Sequence, residues 1–246
     1  MKWMGQLDAG DPIAAGFVEP LDGVTLIAVT SIDGRAAVDG VSGGLGNPAD
    51  AALLQAVRRA SDVVLVGAGT VRAENYGPAA APTRLAVLSG SFSVDADSAI
   101  FDDPDNPPIL VGGGRAEPDR REALAAAGAE FLDVPDTAPH RVVDALRRRG
   151  LTRIALEGGP GVYRDFLRAN VVDRAYVTLA PMVVGDGPAT FGSREEADGN
   201  SHSDGDTNAT DTFDATGSAL PLGFRAEAAA FDDSHLFVRY SGDAAG

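Results

Sequence analysis

The chain has 246 residues, 44% of them hydrophobic and 23% charged, the composition of a globular protein with one large or two small domains. It has no cysteine and only three histidines, which excludes disulfides, thiolate metal sites and a cysteine nucleophile and leaves no metal centre to expect. A net charge of −16 repels polyphosphate, so no nucleic-acid partner is expected.

Residues 1–22 are broken by glycine and proline and read as a loose N-terminal arm. The apolar run Val24–Val29 predicts a buried strand, and Ser31-Ile32-Asp33-Gly34-Arg35 a turn after it. Ala49–Ala60 fits an amphipathic helix with Ala52, Leu53, Ala56 and Val57 on one face. Val63–Val66, Leu85–Leu88, Ile109–Val111 and Arg153–Leu156 read as further strands, and 118–127, 139–149 and the stretch through Phe166-Leu167 as helices. Strands that alternate with helices imply a mostly parallel sheet covered on both faces. Toward the C-terminus the alternation stops. Residues 175–179, 224–231 and 235–240 are strands, the last two joined at Asp232-Asp233-Ser234 as a hairpin. Residues 193–218 are polar and acidic and read as a mobile insertion in an otherwise single domain over 23–246. No apolar run is long enough to span a membrane and no signal pattern opens the chain, so a cytoplasmic address is expected.

Glycine-rich turns follow three predicted strands, at 67–70, 112–114 and 157–161. Ligands of parallel sheets bind outside the carboxyl ends of strands, where glycine lets backbone approach a phosphate. Neither familiar fingerprint is present: Arg72 stands where a Rossmann turn has its third glycine, and the only lysine, Lys2, excludes a P-loop.

Thr30-Ser31-Ile32-Asp33-Gly34-Arg35, Ser42, Leu65-Val66-Gly67-Ala68-Gly69-Thr70-Val71-Arg72-Ala73-Glu74-Asn75-Tyr76, Leu156-Glu157-Gly158-Gly159-Pro160 and Val177–Gly185 follow one another in this order. This series resembles the reductase domain of the bifunctional riboflavin-biosynthesis deaminase–reductase over about residues 22–241. It is also similar to stand-alone actinobacterial pyrimidine or dihydrofolate reductase-like members. The resemblance implies a dihydrofolate-reductase-like α/β fold, with a mostly parallel central sheet, helices on both faces and an antiparallel C-terminal hairpin. The partner domain of the bifunctional enzymes is a zinc deaminase needing cysteine, so only the reductase half is expected here.

The resemblance implies NADPH as cofactor and hydride transfer from nicotinamide C4 to ribose C1′ of a 5-amino-6-(5-phosphoribosylamino)uracil-type substrate, in a homodimer. It assigns the cofactor to Val29, Gly67, Ala68, Gly69, Thr70, Glu74, Gly158, Gly159, Pro160, Gly161, Val162 and Tyr163. Ser89 is placed at the adenosine 2′-phosphate, with Ser91 and Arg115 nearby; the alternative is an ordinary polar loop. Ser42, Arg58 and Glu157 fall at substrate-facing positions, although Arg58 reads equally as a helix-surface arginine. Asp33 and Glu157 are the catalytic candidates, and Asp33 has the alternative of holding its own turn. The chain departs from the family in one segment: Glu74–Ala81 lacks the arginine that grips the substrate phosphate, and Arg84 lies too deep in the next strand to replace it. A dihydrofolate or pterin reductase and a catalytically silent NADPH-binding module are the competing readings.

Overall fold

The computed structural model describes residues 3–7, 11–13, 15–114, 116–192 and 222–242. Their order is β1 (Trp3–Gln6), β2 (Gly23–Thr30), α1 (Pro48–Arg59), β3 (Val63–Gly67), α2 (Ala68–Ala73), β4 (Arg84–Ser89), β5 (Ile109–Gly113), α3 (Pro118–Ala126), β6 (Glu130–Val134), α4 (Pro139–Arg148), β7 (Arg153–Gly158), α5 (Pro160–Arg168), β8 (Arg174–Leu179), β9 (Phe224–Phe231) and β10 (Leu236–Gly242). One ten-stranded sheet has the order β1-β9-β10-β8-β2-β7-β3-β4-β5-β6. The seven strands from β8 to β6 are mutually parallel, and β10 runs antiparallel to both β8 and β9. The expected α/β plan with a C-terminal hairpin is therefore what the chain adopts.

The central strands are β-branched or aliphatic on both faces, and β3 is buried along its whole length. Such strands must be covered twice. One apolar cluster joins Ile27, Tyr176, Val64 and Phe237 to the α1 stripe of Ala49, Leu53, Ala56 and Val57. The other joins Leu26, Leu65 and Leu156 to Val142 and Leu146 of α4 and Phe166 of α5. Helix α1 starts where Asn47 accepts the Asp50 N–H at 2.9 Å and Pro48 takes the first turn. The hairpin turn closes on Asp232, whose carboxylate accepts the N–H groups of Ser234 and His235, each at 2.7 Å.

Two expectations change. The first 22 residues are not all a loose arm: β1 adds to the sheet edge beside β9, and Leu7, Phe17 and Val18 are buried. Strand β6 carries no apolar run and escaped the sequence reading; it is the opposite edge and mostly half-exposed, so it needs none. The insertion at 193–218 lies outside the described residues.

Candidate active site

Because β2, β3, β4, β5 and β7 are parallel, Thr30, Gly67, Ser89, Gly113 and Gly158 end on one edge. Two of the three glycine turns interlock there. Gly159 donates its N–H to Thr70 Oγ1 at 2.9 Å. A Cβ on Gly159 would lie 2.8 Å from that same oxygen, and one on Gly67 would lie 2.9 Å from Val162 Cγ2. Gly158 has φ +98° and sits on the Tyr163 ring, where a Cβ would come within 2.6 Å. The Gly158–Gly159 peptide is cis. By contrast, a Cβ on Gly69 or on Gly161 would meet nothing within 4 Å. Gly161 and Val162 stand in the first turn of α5, so their N–H groups have no acceptor inside the helix. Backbone donors, a positive helix pole and open space coincide at the strand ends, which suits an anionic dinucleotide. The residues present thus fit the expected cofactor.

Beside this surface lies a three-membered network. Arg58, in the last turn of α1, grips Glu157 of β7 through both arms, Nε to Oε1 at 2.8 Å and Nη2 to Oε2 at 2.6 Å. Tyr76 donates its hydroxyl to Glu157 Oε2, accepts from Arg58 Nη2 at 2.5 Å, and carries the guanidinium 5.3 Å from its ring centre. The Glu157 side chain is 5% exposed and that of Arg58 21%. Burial, then the charge of Glu157, pushes the Tyr76 phenol well above its ordinary range, so it keeps its proton. Burial opposes the charge of Arg58, but the hydrogen bonds and charge of Glu157 outweigh it and raise its pKa. Arg58 Nη1 makes no hydrogen bond among the described residues.

Several expected contacts need correction. Asp33 has no proton to give: its carboxylate accepts the Ser31 hydroxyl at 2.6 Å and the N–H groups of Val184 and Gly185 at 3.1 and 2.7 Å. These bonds hold it ionised far below the usual carboxylate range. It fastens loop 182–185 to the turn after β2, a positioning role. Tyr163 is 7% exposed. Its hydroxyl donates to Ile27 O at 2.5 Å and its N–H to Gly159 O at 3.0 Å, so both of its donors are taken within the protein and it supports the glycine turn from below. Ser89 is 4% exposed and its hydroxyl accepts the Ser93 N–H at 2.8 Å. The polar reach at that strand end comes from Arg72, which donates to Ser93 O and, at 2.9 Å, to Ser93 Oγ. Arg120 reaches Phe92 O at 3.4 Å. Arg115 lies outside the described residues.

Ser42 and Glu74, assigned to substrate and cofactor, meet each other: the Ser42 N–H donates to Glu74 Oε1 at 3.2 Å. Arg84 is held by Glu130 at 2.8 Å and Pro107 O at 2.9 Å, so it does not replace the missing phosphate arginine. Tyr76 and Arg72 went unassigned. Each is one residue in a motif read for its glycines, and only the fold brings Tyr76 to Glu157, 81 positions on.

A mostly parallel sheet, an antiparallel terminal hairpin and two interlocked glycine turns define the dihydrofolate-reductase-like class of α/β proteins. Dihydrofolate reductase of Enterococcus faecalis shares the fold at 12% identity and a TM-score of 0.50, over 92% of this chain and 100% of that one. Within the class, the family model of the RibD C-terminal domain matches residues 23–211, and the chain belongs to that family. The chain is 36% identical over 168 residues to the riboflavin biosynthesis protein RibD of Mycobacterium tuberculosis, covering 68% of this chain and 44% of that one. It is 29% identical over 140 residues to the 2,5-diamino-6-ribosylamino-4(3H)-pyrimidinone 5′-phosphate reductase of Aquifex aeolicus, covering 54% and 62%. The match thus spans less than two thirds of either relative. A pyrimidine reductase-like protein of Corynebacterium diphtheriae superposes with a TM-score of 0.76 at 29% identity, over 95% of this chain and 98% of that one. No helix among the described residues is long and apolar enough to cross a membrane.

Proposed function

We propose that the chain is an NADPH-dependent reductase of a ribosylaminopyrimidine 5′-phosphate, working on a small-molecule substrate as a cytoplasmic homodimer. The observation that carries the reading is the open space over Gly69 and Gly161, beside donors of the α5 start and next to the buried Arg58–Glu157–Tyr76 network. Gly67, Ala68, Gly69 and Thr70 would hold one side of the cofactor, and Gly158 through Val162 its pyrophosphate, with Val29 under the nicotinamide. Arg72 stands where a 2′-phosphate would favour NADPH over NADH. When bound, the reduced nicotinamide supplies hydride for the substrate C1′. The protein orients the reactants and keeps water out. Glu157 and Tyr76 fix the Arg58 guanidinium, leaving its Nη1 edge for the polar ribose side of the substrate.

Gly161→Val tests this directly. A Cβ there meets no atom within 4 Å, so the melting temperature of the ligand-free protein should stay within a few degrees. It fills the space over the helix start, so the NADPH dissociation constant, read by titration calorimetry, should rise at least tenfold. Unchanged affinity would remove this surface as the cofactor site.

A further inference from the structure

His235, just before β10, is 8% exposed and takes no part in the glycine turns or the Arg58 network. Its ring stacks on Phe237 with centroids 6.3 Å apart. Its Nε2 lies 2.9 Å from Leu45 O, in the segment that leads from Ser42 into α1. Its Nδ1 lies 2.9 Å from Asn47 Nδ2 and 2.7 Å from Ser234 Oγ. One imidazole thus ties the C-terminal hairpin turn to the approach to α1, 188 positions earlier.

The partners decide which ring nitrogen carries the proton. A carbonyl oxygen only accepts, so Nε2 bears a hydrogen. Asn47 cannot turn its amide round. Its Oδ1 accepts the Asp50 N–H at 2.9 Å as the cap of α1, and its Nδ2 donates to Asp232 Oδ2 at 2.6 Å. The second Nδ2 hydrogen therefore points at Nδ1, which must accept it, and the ring is neutral. A proton added at Nδ1 sets donor against donor. Ser234 can answer by reversing its bond, because a hydroxyl both donates and accepts. Asn47 can answer only by giving up the cap or Asp232. The acids that feel the charge of the ring are Asp50 of α1 and Asp232 of the turn, and both draw a proton toward it. Asp233 of the turn is exposed, and residues 42–46 and 236–238 carry no charge.

The segment held by His235 leads to the site. Leu45 is 1% exposed, and at the other end the Ser42 N–H donates to Glu74 Oε1 at 3.2 Å. We propose that neutral His235 is a positioning residue for the substrate: it holds segment 42–47 from the hairpin turn, and protonation at Nδ1 loosens that segment and the start of α1, so that the grip on substrate weakens in acid. What the segment touches rests on the reductase reading above, in which Ser42 faces the substrate; the place of the proton stands on the hydrogen bonds alone.

Two measurements test this. The first is the NMR spectrum of the ring nitrogens in isotope-labelled, ligand-free protein at about pH 8, where an ordinary histidine is neutral. The signal lost in His235→Gln should show the Nε2–H tautomer. The Nδ1–H tautomer or a charged ring there overturns the assignment. The second is steady-state reduction of a ribosylaminopyrimidine 5′-phosphate by NADPH between about pH 8 and about pH 5.5, the range in which histidine titrates. His235→Gln keeps an N–H for Leu45 O and does not titrate, so dividing by it cancels the titration of substrate and cofactor phosphates. The wild-type KM should rise in acid by about fivefold more than that of the variant, the worth of one hydrogen bond, with kcat and NADPH affinity following the variant. Asn47→Ser keeps a cap for α1 and removes the Nδ2 donor, so it too should lose the extra acid rise. If His235→Gln does not fold, Asn47→Ser decides. One KM profile shared by wild type and variants overturns the positioning role and leaves the reductase reading standing. NADPH binding without reduction of the substrate at any pH overturns the reductase reading, and the substrate role of His235 with it.

Discussion

The two ends of the sheet each carry an arginine–carboxylate pair, and the pairs are built differently. At the amino end, Asp62 accepts Nε of Arg153 at 2.9 Å and also its Nη2, and takes the backbone N–H groups of Thr152 and Arg153 at 3.0 and 2.9 Å. Main chain fixes that carboxylate, and the Arg153 side chain is 40% exposed. At the carboxyl end, the Glu157 side chain is 5% exposed and, among the described residues, held only by side chains, those of Arg58 and Tyr76. A carboxylate pinned by amides joins strands and has nothing left to do. One pinned by side chains can exchange a partner for a ligand. Burial and chemistry thus separate the structural pair from the functional one, although in both the arginine donates through Nε and Nη2.

The largest effect should come from Glu157→Ala. It leaves the Arg58 charge largely buried without its partner, and breaking a buried pair from one side costs about 3–5 kcal/mol. A side chain of Arg58 that is 21% exposed moves the expectation to the low end, about 3 kcal/mol. That corresponds to a melting temperature lower by roughly 6–12 °C for a chain of this size. Replacing both partners, Arg58→Leu with Glu157→Leu, should cost less than the sum of the single changes, because no charge is stranded. Additive melting shifts would mean the two groups do not act as a pair.

Asp62→Asn should cost less, about 1 kcal/mol, since the pair faces water on one side. Activity should not change. The pH dependence follows from the direction of the shift. Burial raises the Asp62 pKa, but the Arg153 side chain, then the Arg153 and Thr152 amides, outweigh it and hold the carboxyl below its ordinary value. Its stabilisation is therefore present above the unfolded-state value of about 3.9 and is lost as pH falls through the depressed native one. Urea unfolding of wild type and variant should differ at pH 7 and converge in acid. A difference that persists at pH 2 would place the effect in packing.

The contrast between the ends also shows what the sequence made legible. The strands β2, β3 and β7 are continuous apolar runs, and the glycine turns follow them because parallel strands end where ligands bind; both are local signals. Arg58 and Glu157 were identified by resemblance, yet nothing local says that they grip each other, since 99 positions separate them. Asp33, Tyr163 and Ser89 occupy the right motifs, but each has its side chain engaged by the protein. Motif spacing locates a backbone turn well and says little about which way a side chain turns.

The smallest expected effect is also the sharpest probe of the carboxyl-end network. Tyr76→Phe removes one hydroxyl and leaves the ring under the Arg58 guanidinium and the two-armed grip on Glu157 intact. The loss should be about 1 kcal/mol in stability. NADPH affinity should not move, and kcat/KM should fall only a few-fold, as Arg58 loses one of the groups that orient it. A merely structural phenol gives the same melting shift, so the deciding readout is alkaline titration of tyrosine absorbance. The chain has four tyrosines. Burial and Glu157 push the Tyr76 phenol well above the ordinary range near 10. In wild type it should ionise late, so the substitution should remove amplitude only from the late phase. Amplitude lost near pH 10 instead would show an ordinary exposed phenol. Glu157 would then be held by Arg58 alone, and the side-chain cage that distinguishes the two ends of the sheet would lose its third member.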